Sequence, residues 1–105
     1  MFELRTYTLA SIEALEQYET VHWARHIPSL AAAGVTTHGI WRQDPADAPT
    51  LIALVSYAEG ADPVAVTAEY MASQAFRDDM AGFPMTDIVG VQSVFLTAAP
   101  ASPLR

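Results

Sequence analysis

Polar and apolar residues alternate from Phe2 to Leu9, with β-branched and aromatic side chains among them, and this pattern predicts a strand. Ser11 follows as a candidate N-cap. Glu13 and Glu16 stand toward the positive end of the helix dipole, so a helix is expected from Ile12 to about His26. Pro28 has no N–H to give to the helical ladder and is expected to kink the helix or open a new turn. The helical pattern resumes through Leu30 to Ala33, and Gly34 suits the position just past the helix end. Val35 to Arg42 reads as a second strand. Residues 43–50 hold two Pro and two Asp and read as a loop, and Leu51 to Ala58 as a third strand. After Gly60, Asp62-Pro63 pairs an N-cap with Pro in the first helical position. The second helical region is expected from Pro63 to about Met80, with a break at Ser73 that would cap a short helix carrying Phe76 and Met80. Gly82 and Pro84 end it, and Ile88 to Thr97 form the last strand. The tail, Ala98 to Arg105, has two Pro and no periodicity and is expected to be mobile.

The order β-α-β, β-α-β is the split arrangement of ferredoxin-like α+β folds, an antiparallel four-stranded sheet with both helices on one face. Residues 1–97 would form this single domain. The third strand, Leu-Ile-Ala-Leu-Val-Ser-Tyr-Ala, is apolar on both faces, and the fourth nearly so. Two helices cover only one side of such a sheet, and a solvated face would show clean alternation. A homodimer in which two sheets close into a barrel resolves the conflict.

The chain has 105 residues, 51% of them hydrophobic, which fits one packed domain. It has no cysteine, so disulfides, thiolate catalysis and Cys-ligated zinc are excluded. All five cationic residues are Arg, which removes lysine Schiff-base and general-base chemistry. A net charge of −7 leaves no basic stripe for nucleic acid and no attraction to anionic membranes. The N-terminus lacks a continuous apolar region of signal-peptide type, and no run reaches transmembrane length. A cytoplasmic protein is the expectation.

Phe2-Glu3-Leu4-Arg5-Thr6-Tyr7-Thr8-Leu9 resembles the opening strand of NIPSNAP family proteins, which typically read Tyr-Glu-Leu-Arg-x-Tyr-x-Leu. A Pro late in the first helix (Pro28), Gly34 before the second strand, Gly39-x-Trp41 within it, and Ala72-Ser73-Gln74-Ala75-Phe76 are also similar to the family. The resemblance covers roughly residues 2 to 97. It implies a dimeric α+β barrel, whose structural relatives include cofactor-free monooxygenases, polyketide cyclases and small-molecule isomerases. It carries over no catalytic motif.

The first helix holds the most informative residues. At about 100° per residue, Ile12, Leu15, Glu19, His22, Trp23, His26 and Leu30 fall within roughly one 100° arc, and the aliphatic members mark it as the buried face. Three ionisable groups on that face need partners or a cavity. His22 or His26 could serve as general base or acid near neutral pH, with Glu19 orienting the imidazole. The spacing of Glu19, His22 and His26 also admits a metal-binding barrel, with His38 as a fourth ligand. Trp23 follows His22, however, so the Glu of His-Glu-x-x-His is missing.

On the first strand Glu3, Arg5 and Tyr7 share a face with Leu9. They form an internal ion pair, or Arg5 anchors an anionic substrate group while Tyr7 donates a hydrogen bond to developing charge. Trp23, Trp41, Tyr57, Tyr70, Phe76 and Phe83 are candidate walls for a flat hydrophobic ligand. His38, Trp41, Tyr57 and Phe76 join Arg5 and Trp23 as expected substrate contacts. No phosphate loop, nucleophile elbow or dinucleotide fingerprint is present, so no cofactor is expected. The leading expectation is a cofactor-independent cyclase, isomerase or monooxygenase acting on a small hydrophobic or aromatic molecule. The alternatives are a non-catalytic homodimer that binds a ligand or protein, and the metal-binding barrel.

Overall fold

The structure, a computed structural model, describes residues 1–105. Strand β1 spans Phe2–Leu9, followed by helix α1 (Ile12–Gln17), a π-helical turn (Tyr18–His22) and helix α2 (Trp23–Ala32). Strands β2 (Val35–Arg42) and β3 (Thr50–Tyr57) come next. Helices α3 (Pro63–Met71) and α4 (Gln74–Asp79) lead through a short 3₁₀ turn (Met85–Asp87) to strand β4 (Ile88–Leu96).

The caps lie where side-chain chemistry places them. Ser11 Oγ accepts from the Ala14 N–H at 3.0 Å, and Asp62 Oδ1 accepts from Val64 and Ala65. Ser73 Oγ accepts from Phe76, which separates α3 from α4 as expected. Gly34, at φ +88, closes α2 in a conformation that favours glycine. Pro28 does not break the helix. It sits exposed within α2, and the helix runs on to Ala32.

The sheet is antiparallel in the order β2-β3-β1-β4, the ferredoxin-like arrangement. The register sorts its two faces. Glu3, Arg5, Tyr7 and Leu9 of β1 lie beside Leu51, Ala53, Val55 and Tyr57 of β3, all buried beneath the helices. The polar set of β1 thus faces the helices. Leu4, Ile52, Leu54, Val94 and Leu96 occupy the opposite face, and no element of the chain covers it. A bulge at His38 shifts the β2 register between Thr37 and Gly39. Beyond it Trp41 lies on the uncovered face, 53% exposed. Its indole lies over Gly39, where a Cβ would sit only 2.4 Å from the ring, so glycine is the residue that leaves it room.

The π-helical turn changes which residues of the first helix are buried. It holds one more residue per hydrogen-bonded turn than an α-helix, so the facing of the preceding segment shifts relative to α2. Ala14, Leu15, Tyr18, His22, Trp23, His26 and Leu30 are buried. Ile12, expected on this face, is 51% exposed. Glu19 is turned toward the sheet edge, where its carboxylate pairs with Arg42 of β2.

Candidate functional site

A cavity of about 380 Å³ lies between the helices and the half of the sheet formed by β1 and β4. Most of its wall is apolar, including Trp23, Leu30, Met71, Phe76, Met80, Ile88 and Val91. Four polar groups reach it from three elements: Arg5 and Tyr7 from β1, Tyr18 from the π-helical turn, and His26 from α2.

His26 ends a hydrogen-bonded chain on the cavity wall. Its Nδ1 lies 2.5 Å from the Tyr70 hydroxyl, which donates to Asp79 Oδ2 at 2.5 Å. The Tyr70 hydrogen goes to the carboxylate, so Nδ1 carries the imidazole proton and donates to the Tyr70 oxygen. The direct Nδ1–Oδ2 separation is 3.5 Å. Ser29 Oγ donates to the other Asp79 oxygen at 3.1 Å. This chain fixes the tautomer and leaves Nε2 as the acceptor of a ring that lines the cavity. Phe76 stacks on His26 at 6.0 Å. Burial pushes the His26 pKa down to about 4 against the opposing pull of Asp79, so the ring is neutral at pH 7. Burial, with the carboxylate of Asp79, holds the Tyr70 hydroxyl well above its ordinary value.

The floor on β1 is an ion pair held on several sides. Arg5 Nε donates to Glu3 Oε1 at 2.8 Å, Nη2 to the Tyr57 hydroxyl at 2.9 Å, and Nη1 to the Tyr7 hydroxyl at 3.4 Å. The Tyr57 hydroxyl donates to the same Glu3 oxygen at 2.6 Å. Burial raises the Glu3 pKa, but the bonds from Tyr57 and Arg5 outweigh it and keep the carboxyl below its ordinary range. Burial also opposes the Arg5 charge, and Tyr7 and Glu3 more than offset it. The pair is therefore ionised and internally neutral.

The expected site residues thus divide. His26, Tyr7, Arg5, Trp23 and Phe76 are brought together around the cavity. Tyr57 stands behind it, holding Glu3 and Arg5. His22 is fully buried but outside it. Its Nδ1 donates to the Asp79 carbonyl at 2.8 Å, and Gln17 Nε2 donates to its Nε2 at 3.1 Å. With both nitrogens engaged it ties the end of α4 to α2, and the structure does not bring it to the cavity with His26. Glu19 is paired with Arg42 and orients neither histidine. His38 and Trp41 lie on the opposite sheet face, where His38 Nε2 meets Ser56 Oγ at 2.7 Å. No three His, Asp or Glu side chains converge as a metal site, so Glu19, His22, His26 and His38 do not form the alternative ligand set.

Asp79 and Tyr18 were missed by sequence reasoning. Asp79 looks like one more charge on a short acidic helix, and nothing local marks it as buried. Tyr18 falls just outside the arc drawn for an unbroken α-helix. Thr67, which touches Tyr57 Oη at 3.0 Å, gave no signal.

Architecture and cavity together define a ferredoxin-like α+β domain with a pocket under its helices. Solved structures agree. An uncharacterised NIPSNAP domain protein from Burkholderia xenovorans is 17% identical with a TM-score of 0.76, covering 97% of each chain. A NIPSNAP family protein of unknown function from Agrobacterium tumefaciens is 18% identical with a TM-score of 0.79, covering 99% of this chain and 92% of its own. A putative antibiotic biosynthesis monooxygenase from Nitrosomonas europaea shares the fold more loosely, at 14% identity and a TM-score of 0.55, covering 93% of this chain and 98% of its own. No curated protein matches the chain by sequence. The NIPSNAP family model matches residues 2–103, and the chain belongs to the NIPSNAP family. No helix is long and apolar enough to cross a membrane.

Proposed function

We propose that this chain forms a homodimer through its uncovered sheet face. Each subunit would bind a small hydrophobic or aromatic molecule in the cavity and move a proton on it. The observation that carries the reading is the chain from Asp79 through Tyr70 to His26, which ends in an apolar pocket. A neutral imidazole accepts a proton at Nε2. The imidazolium so formed is stabilised by Asp79 through the Tyr70 hydroxyl. On an activated carbon acid, the C–H bond breaks, its electron pair moves onto the adjacent carbonyl oxygen, and the proton goes to His26 Nε2. Returning that proton to another atom is an isomerisation. Attack by the enolate carbon on an internal electrophile is a cyclisation, and oxygenation with dioxygen starts from the same enolate.

Dimerisation is supported by Leu4, Ile52, Leu54, Val94 and Leu96, which form an apolar surface without an element of the chain over it. The test of the chemistry is hydrogen–deuterium exchange at the α-carbons of uncharged aromatic ketones, 2-tetralone and 1-indanone, followed by proton NMR in D₂O. Wild type is expected to accelerate exchange and His26→Gln to lose at least about a hundredfold, the low end for general-base catalysis. Exchange at the buffer rate with both ketones, or equal rates for the two proteins, would overturn the assignment.

A further inference from the structure

We infer that the wall formed by Tyr7 and Tyr18 is an oxygen-binding site, and that the ligand it takes is an uncharged aromatic carbonyl compound, not a carboxylate. This rests on the proposed use of the cavity and narrows it to a substrate class.

The first support is the direction of the hydroxyl hydrogens. The Tyr7 oxygen accepts from Arg5 Nη1, so its own hydrogen remains to be donated. The polar neighbours of the Tyr18 hydroxyl are Tyr7 and Trp23. Trp23 Nε1 is sealed from solvent and has no hydrogen-bond partner in the fold. Neither phenol gives its hydrogen to Trp23, because an indole N–H only donates. Tyr7 and Tyr18 pack edge to face, 5.4 Å between ring centroids, and both line the cavity. Burial, followed by the proximity of Tyr7, holds the Tyr18 hydroxyl above its ordinary value, so it is a donor at neutral pH. Two phenolic hydroxyls thus stand on the same cavity as the His26 acceptor, with the Tyr7 hydrogen free to be donated. That is the arrangement needed to receive negative charge on an oxygen as a proton leaves the neighbouring carbon.

The second support is the charge balance. Arg5 is the one cation on the cavity wall, and Glu3 neutralises it at 2.8 Å. The Asp79 carboxylate stands behind Tyr70. A carboxylate ligand would enter a largely apolar space with no uncompensated positive charge to meet it, and burying such an ion is costly. A neutral carbonyl meets donors without that cost. The volume of about 380 Å³ lies at the small end of ligand pockets, roughly 300–1,000 Å³, which suits a molecule of one or two rings.

The experiment uses para-dimethylaminobenzaldehyde, whose absorption moves to longer wavelength when its carbonyl oxygen accepts hydrogen bonds and which has no α-hydrogen to exchange. Wild type is expected to bind it with a red-shifted band. Tyr18→Phe and Tyr7→Phe should each move the band back and weaken binding by about tenfold, the scale of one lost hydrogen bond at about 1.4 kcal/mol. The isosteric anion para-dimethylaminobenzoate is expected to bind at least tenfold more weakly than the aldehyde. A benzoate that binds as tightly as the aldehyde, or a band that stays put in both tyrosine variants, would overturn the inference. Ketone exchange that depends on His26 alongside an unmoved band would refute the oxygen site and leave proton transfer standing. A Tyr18-dependent band without ketone exchange would do the reverse.

Discussion

Replacing His26 with Gln changes how stability depends on pH, and the change can be measured without any substrate. The ordinary imidazole value is 6.5, and burial lowers that of His26 to about 4. Between those values the unfolded chain binds a proton that the folded chain refuses. Stability therefore falls as pH falls through that window and is level above it. Each pH unit inside the window is worth about 1.4 kcal/mol, so the full contribution of His26 is about 3 kcal/mol. Between about pH 7 and about pH 5 it is about 2 kcal/mol. Glu3 works in the same direction but lower, since its depressed value costs stability only as pH drops below its ordinary 4.5. The remaining histidines, His22 and His38, are common to both proteins and cancel in the comparison. The assay is urea unfolding of wild type and His26→Gln at both pH values, followed by tryptophan fluorescence at one fixed protein concentration. The advantage of wild type over the variant should shrink by about 2 kcal/mol on going to the lower pH. Parallel pH dependence in the two proteins would refute a neutral, buried His26.

Tyr70→Phe removes the hydroxyl between His26 Nδ1 and Asp79 Oδ2 and strands both inside the fold. A loss of about 1–3 kcal/mol is expected in thermal unfolding. His22→Ala deletes a fully buried ring and its bond to the Asp79 carbonyl, at a cost of about 2–4 kcal/mol. The folded variant should still exchange 2-tetralone, which separates His22 from His26, the proposed proton carrier, by NMR. Leu54→Asp places a charge in the middle of the uncovered sheet face and should give a monomer by sedimentation velocity at micromolar concentration, where wild type is expected to sediment as a dimer.

The fold was legible because its elements are marked redundantly. β1 carries a period of two along Glu3, Arg5, Tyr7 and Leu9, and the register keeps all four on one face. Ser11, Asp62 and Ser73 cap helices whose starts the apolar pattern had already located. The two-sided hydrophobicity of β3 and β4 points in the sequence to a second subunit over the face the helices leave, and within one chain that face, with Leu4, Ile52 and Leu54, has no element over it. Pro28 shows the limit of a local rule. The missing N–H disfavours a helix interior, yet burial of Trp23, His26 and Leu30 on one side of α2 outweighs it.

The site was only half legible, and the reason is specific. Counting 100° per residue along the first helix treats it as one α-helix, whereas residues Tyr18–His22 form a π-helical turn. That turn carries Glu19 out to Arg42, which removes the residue chosen to orient a histidine. It also brings Tyr18, which the count leaves outside the buried arc, in beside Tyr7 and Trp23. The orienting carboxylate comes instead from Asp79 on α4, which is distant in sequence, so no spacing rule within one helix could reach it. An irregular turn of this kind weakens the helix locally and persists only where surrounding contacts outweigh that cost. Here Gln17 and the Asp79 carbonyl hold His22, and Phe83 packs on His22 and Tyr18. The fully buried His22, the strongest polar anomaly in the sequence, is thus read as support for the turn. The turn in turn sets Tyr18 and His26 on one cavity.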